Sequence, residues 1–226
     1  MKRNNIIDIS KHNRLQQYKQ SIAFHEAGHA AAIFLNNKAR QLPPVFFQIV
    51  FKEISGNNDH DDTLYRIAHD DSIAGVEGGR LIQSLPYSVD GLVHKLIDHN
   101  DAMLPLVRDY IAAFEADIIN LLIGPLAEAK QSYNRDNERF NQNLVDLNAL
   151  KNYGGGSDLA LVHEYLESFS ASPQRQDKKL DELFAEACDF VSDCSNWKAI
   201  TKLANYIFDS NKSIISCEEV VSVLES

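Results

Sequence analysis

Residues 21–35, SIAFHEAGHAAAIFL, constrain this chain more than any other stretch, because they carry His25, Glu26 and His29 in the order H-E-x-x-H. At 3.6 residues per turn, positions four apart share a helix face, so both imidazoles can reach one metal ion. Glu26 stands one step round. Its carboxylate then lies beside the ion without being spent as a ligand, where it can take a proton from water. This is the spacing of a zinc metallopeptidase helix, with a separate task for each residue.

The surrounding residues favour that helix. Ala23, Ala27, Ala30, Ala31 and Ala32 have high helix propensity, and Phe24, Ile33, Phe34 and Leu35 supply an apolar face to bury. Gly28 costs about 1 kcal/mol relative to alanine in a helix, which signals a segment packed closely on the backbone there. Ser10 is the expected N-cap. The helix is expected over residues 11–35, stopping at Asn36 and Asn37 ahead of the Pro43-Pro44 pair.

Two histidines do not complete a zinc site, so a third protein ligand must come from elsewhere. Asp158 follows Gly154-Gly155-Gly156-Ser157 and opens the helical run LALVHEYLESF. Ser157 and Asp158 have the chemistry of a helix start, and capping is the ordinary use of such an aspartate. With the site incomplete, Asp158 on a rigid helix end behind a glycine hinge is the candidate third ligand. Glu128 is the other carboxylate of interest. It lies among Leu126, Ala127 and Ala129 in a long apolar helical run from Leu106, and either faces solvent or partners a metal or a metal-bound histidine. Gly124-Pro125 should kink or restart that helix. His60 in the acidic run NDHDD, and His69, His94 and His99, read as solvated or structural.

Residues 45–52, VFFQIVFK, are β-branched and aromatic between the prolines and a GNND turn, and read as a strand with residues 63–68 as its partner. Short helical pieces are expected around residues 89–99. The last third reads as helices: one begins at Ser172-Pro173, one covers NWKAITKLANYIF, and Ser216 with Glu219 forms a capping box for the last.

At 226 residues the chain suits one well-buried domain. With 32 Asp+Glu against 22 Lys+Arg the net charge is -10 and no basic stripe offsets it, so nucleic acid is not an expected partner. No apolar leader reads as a signal sequence, and the apolar clusters at 30–35 and 45–51 fall short of the roughly 20 residues of a membrane span. The chain therefore reads as soluble. Three cysteines without a C-x-x-C pair suggest a reducing, cytoplasmic compartment and no part in the metal site.

Taken together, these segments resemble the peptidase domain of the FtsH-type membrane proteases. AFHEAGHAA at 23–31 resembles their zinc helix, IGPLAEA at 123–129 their glycine-and-acid helix, and GGSDLAL at 155–161 the segment of their third ligand. KLANYIF and CEEVVSVL follow the family's closing helices. The resemblance implies a mainly α (α+β), zincin-like domain over residues 1–226, with a small β-hairpin or sheet near the active-site helix and a divergent insertion at about 42–110. It implies His25, His29 and Asp158 as Zn2+ ligands, Glu26 as general base, and Glu128 as an acid near the metal. Ala129 departs from the family, which often has a second acid there. The chain also lacks a G-x-x-x-x-G-K-[ST] loop and a membrane span.

The function so implied is zinc-dependent endopeptidase action on unfolded or flexible polypeptides, without an ATPase of its own. The expected partners are a polypeptide substrate and either further copies of the chain or a separate ATPase. The strand at 45–52 would bind an extended substrate along an open edge. The alternative is a catalytically silent binding or regulatory module that keeps the fold and the zinc.

Overall fold

The computed structural model describes residues 3–51, 73–91, 93, 104–141 and 145–226, with side chains from residue 13 onward. Its elements are α1 (Arg3–Ala39), β1 (Phe47–Phe51), β2 (Ala74–Gly78), α2 (Leu104–Arg135), a 3-10 turn (Ala149–Tyr153), α3 (Gly156–Phe169), α4 (Pro173–Ser192), α5 (Cys194–Asp209), β3 (Ile214–Ser216) and α6 (Cys217–Glu225). The fold is mainly α with one small antiparallel sheet, as expected.

The core forms where α1 crosses α2. Small residues let the two helices approach closely: Ala27, Ala30 and Ala31 are fully buried, and a Cβ at Gly28 would stand 2.8 Å from Ala127 Cβ and 2.9 Å from the Ile123 carbonyl. That contact is the one Gly28 signalled. On another side of α1, Phe24 stacks on Trp197 of α5 with ring centroids 5.5 Å apart.

Two readings differ from expectation. First, α1 starts at Arg3, before Ser10, and continues through Asn36 and Asn37 to Ala39. Asparagine competes with a helix by bonding its own backbone. Here the amides are spent on α2 instead: Asn36 Nδ2 donates to Asn120 Oδ1 (3.0 Å), and Asn120 Nδ2 donates to Asn37 Oδ1 (3.1 Å). Second, α2 neither stops nor restarts at Gly124-Pro125, both of which are buried within it. Packing on several faces outweighs the one backbone donor that proline lacks. Residues 89–91 are helical, in line with the pieces expected around 89–99, and most of the stretch 92–103 lies outside the described residues.

Among the described residues α2 alone is long and apolar enough to cross a membrane, with a mean hydropathy of 1.4 over 18 residues, and 72% of that window is buried inside the protein. It is the core helix of this fold. Its apolar run exceeds the clusters at 30–35 and 45–51 that stand out in the sequence.

The sheet has the order β2-β1-β3, so β1 is central and has no open edge. Phe47 pairs with Gly78 and Ile49 with Val76 on one side, and Ile49 with Ile215 on the other. The residues 63–68 expected to pair with β1 lie outside the described residues, as do NDHDD, His69, His94 and His99. Neither observed partner resembles a strand in sequence. AGVEG contains two glycines, and IIS is three residues long, so both owe their conformation to the apolar β1 between them. At the C-terminal end the expected capping box is present, with Ser216 Oγ accepting from Glu219 N–H and Glu219 Oε2 accepting from Ser216 N–H. Ser172 and Pro173 stand at the start of α4 as N-cap and first residue.

Candidate metal centre

His25 and His29 face the same point from successive turns of α1, with their Nε2 atoms 3.1 Å apart. The carboxylate of Asp158 closes on that point from α3, its Oδ2 3.2 Å from His25 Nε2 and its Oδ1 3.4 Å from His29 Nε2. One ligand atom from each of the three residues fits within a span of 4.8 Å. Two nitrogens on one tetrahedral zinc ion are about 3.3 Å apart, so the spacing suits such an ion.

The outer nitrogens decide which way the lone pairs point. His25 Nδ1 lies 3.1 Å from Glu128 Oε2 and 3.2 Å from the Tyr153 carbonyl, both acceptors, and His29 Nδ1 lies 2.9 Å from the Asn120 carbonyl. Each Nδ1 therefore carries the hydrogen. Each Nε2 is left with a lone pair turned toward the other and toward a carboxylate, an arrangement that only a cation or an added proton relieves. Burial opposes charge on all three side chains, yet both histidine pKa values are raised. Hydrogen bonds to Asp158 and Glu128 do this for His25, and the charge of Asp158 does it for His29. Despite its own burial, Asp158 is held well below the usual carboxylate range by the same two imidazoles.

Glu26 is 5% exposed, and its Oε2 is buried with no hydrogen-bond partner. Burial raises its pKa, against the pull of His25 and His29. A buried acceptor left unpaired costs about 1–3 kcal/mol, a cost that a water molecule bound beside it would offset. The donor set thus fits a divalent ion on both counts: two imidazoles and a carboxylate aimed at one point, and a spare carboxylate beside them.

Asp158 is free to serve because the cap belongs to another residue. The N-cap of α3 is Gly155, without a side-chain bond, and Asp158 sits in the first turn. Gly154 ends the preceding 3-10 turn at φ 70, and a Cβ there would stand 3.1 Å from His25 Nδ1 and 3.2 Å from Glu128 Oε2. Position 154 therefore needs glycine for both its backbone angle and its close approach. Glu128 does not face away from the site; it supports His25 from the side opposite Asp158. Glu128→Ala should weaken zinc binding by about tenfold, the lower end for loss of such a support, because the Tyr153 carbonyl remains. Competition with a chromophoric chelator measures this.

Two supports were not legible beforehand. Asn120 holds His29 through its backbone carbonyl, which no side-chain pattern announces. Gly124 carries a signal that reads as a helix break, but its role is steric: a Cβ there would lie 2.2 Å from His29 Nε2. The three cysteines are free, and none belongs to the cluster.

A cleft of about 770 Å³ opens over the cluster, with His25, Glu26, His29 and Asp158 on one side and Ala74, Gly75 and Val76 of β2 on the other. A second hollow of about 670 Å³ shares His25, Glu26, Ala74 and Gly154 with it and is bordered further by Tyr18, Ile22 and Lys151. Comparison with protein families, curated proteins and solved structures finds no match for this chain.

Proposed function

We propose that this chain is a zinc-dependent endopeptidase of the FtsH-type kind, acting on unfolded or flexible polypeptides. The observation that carries the reading is the convergence of His25 Nε2, His29 Nε2 and the Asp158 carboxylate beside the unpartnered Glu26 Oε2. His25, His29 and Asp158 would hold the zinc, which supplies Lewis-acid polarisation of water and of a substrate carbonyl. Glu26 takes the proton of the attacking water and returns it to the leaving amine. Glu128 and the Asn120 carbonyl keep the two imidazoles in the required tautomer throughout.

The substrate backbone is better assigned to β2 than to β1. β1 is paired on both sides, whereas among the described residues β2 is an edge strand, and it borders the cleft. Pairing through main-chain groups selects extended conformation over side-chain identity. Two hollows that share His25 and Glu26 leave room for a chain to extend beyond the cluster, which suits cleavage within a chain.

Zinc alone would not favour a catalytically silent module, because a structural ion has no use for the buried charge of Glu26. The test is removal and return of metal. Stripped protein should regain one zinc per chain and, with it, cleavage of casein, while a tightly folded protein resists. One bound zinc with no cleavage of any unstructured polypeptide would favour the silent module. No zinc binding would remove both readings.

A further inference from the structure

Asp117 lies on α2 about one turn before Asn120, is 2% exposed, and does not belong to the metal cluster. Its Oδ1 accepts from Leu81 N–H at 2.9 Å, and its Oδ2 accepts from Ile82 N–H at 2.8 Å and from the Tyr165 hydroxyl at 3.0 Å. Burying a carboxylate is costly, and a fold that only needed to end a strand has cheaper means. What a carboxylate offers is acceptor capacity on both oxygens, which two consecutive backbone donors can share. The residues it grips lie three and four positions past the end of β2 at Gly78.

The same strand end is held a second time. Gly78 and Gly79, at φ 84 and 79, turn the chain off β2, and a Cβ on Gly79 would meet Ile33 Cδ1 at 2.5 Å. Ile33 is one turn past His29 on α1, and Asp117 is one turn before the carbonyl that holds His29. The end of β2 is thus fastened to the two helical turns that also orient a metal ligand. Both β2 and Asp117 line the cleft.

We infer that Asp117 is a positioning residue that sets the distance between the β2 edge and the metal centre, and so determines how firmly an extended polypeptide is held for cleavage. The inference rests on the peptidase reading. It separates binding from chemistry: Asp117 touches neither the metal cluster nor Glu26, so its loss should affect substrate affinity and leave turnover alone. Asn at this position keeps the shape but presents an NH2 group to one of the three donors.

The test uses the full zinc-loaded chain and an extended fluorogenic peptide. Asp117→Asn should raise KM about tenfold, the effect of one lost bond to a charged acceptor, with kcat held within about twofold. The cobalt-substituted protein should keep its wild-type absorption spectrum. Hydrogen exchange at Leu81 and Ile82 should accelerate. In a Glu26→Gln background the same substitution should weaken binding of the uncleaved peptide by the same factor. An unchanged KM, or a fall in kcat with an altered cobalt spectrum, would overturn the inference.

If Asp117→Asn does not fold, Tyr165→Phe removes one of the three bonds and keeps the ring. A KM rise of about threefold is then expected, and unaltered peptide binding overturns the inference. Active wild type with an indifferent variant sinks only the role of Asp117. Wild type that binds zinc but neither cleaves nor binds polypeptide sinks the peptidase reading and this inference with it.

Discussion

Glu26→Gln is expected to retain one zinc per chain and to cleave casein about a thousandfold more slowly than wild type, the usual worth of a positioned general base. The substitution keeps the side chain's length and planarity, so the α1 turn that carries His25 and His29 is undisturbed. What it removes is the capacity to accept a proton. It also relieves a buried charge whose Oε2 has no partner, so thermal stability should hold or rise. Loss of activity through unfolding is thereby distinguishable from loss of the base. Initial rates on labelled casein, with zinc measured on the same samples, decide the matter. Cleavage at the wild-type rate removes Glu26 from the mechanism.

The second large effect comes from a residue that donates nothing to the metal. Gly124→Ala should lower zinc affinity by about a hundredfold or more while the protein remains folded. Two effects oppose each other here. Alanine in place of a helix-interior glycine stabilises by about 1 kcal/mol. The new methyl, however, would lie 2.2 Å from His29 Nε2, 2.4 Å from Cε1 and 2.6 Å from Cδ2. The buried ring is tied to the Asn120 carbonyl and has to rotate off its position, which carries Nε2 away from His25 and Asp158. The expected signature is therefore a folded metal-free protein of equal or lower melting temperature, since overpacking by about 1–3 kcal/mol offsets the helix gain, with much weaker zinc binding. Wild-type zinc affinity in this variant would mean that His29 is not a ligand.

The difference between the two variants reflects what a sequence can carry. Glu26 belongs to a motif written within five residues, and the helical repeat alone puts His25 and His29 on one face. The Ser216–Glu219 cap was legible for the same reason, as a rule about residues three apart, and Gly28 marked a close approach because glycine is costly inside a helix, although its neighbours Ile123 and Ala127 lie far along the chain. The mainly α class was legible because long apolar periodic runs such as α2 carry it. Asp158 stands 133 positions from His25, and only the chemical need for a third ligand, together with a resemblance to a zinc peptidase family, pointed to it.

Long-range pairing was not legible. The expectation that β1 would bind substrate along an open edge failed because β2 and β3, whose sequences are poor or short strands, take both of its edges. Asn36 and Asn37 read as a helix end because their pairing with Asn120 is invisible locally. Gly124 read as a break in α2 because the imidazole it accommodates belongs to another helix.

What the sequence determined by itself is the set of groups that repeat along a helix or sit at its ends: two imidazoles, a base beside them, and a carboxylate at the start of α3. Only the folded chain decided which nitrogen of each histidine faces inward, which strand borders the cleft, and which acid stands behind His25. The reason is physical. Helix geometry depends on residues within a turn of one another, whereas tautomers, strand partners and supporting hydrogen bonds depend on groups far apart in the chain that packing alone brings together.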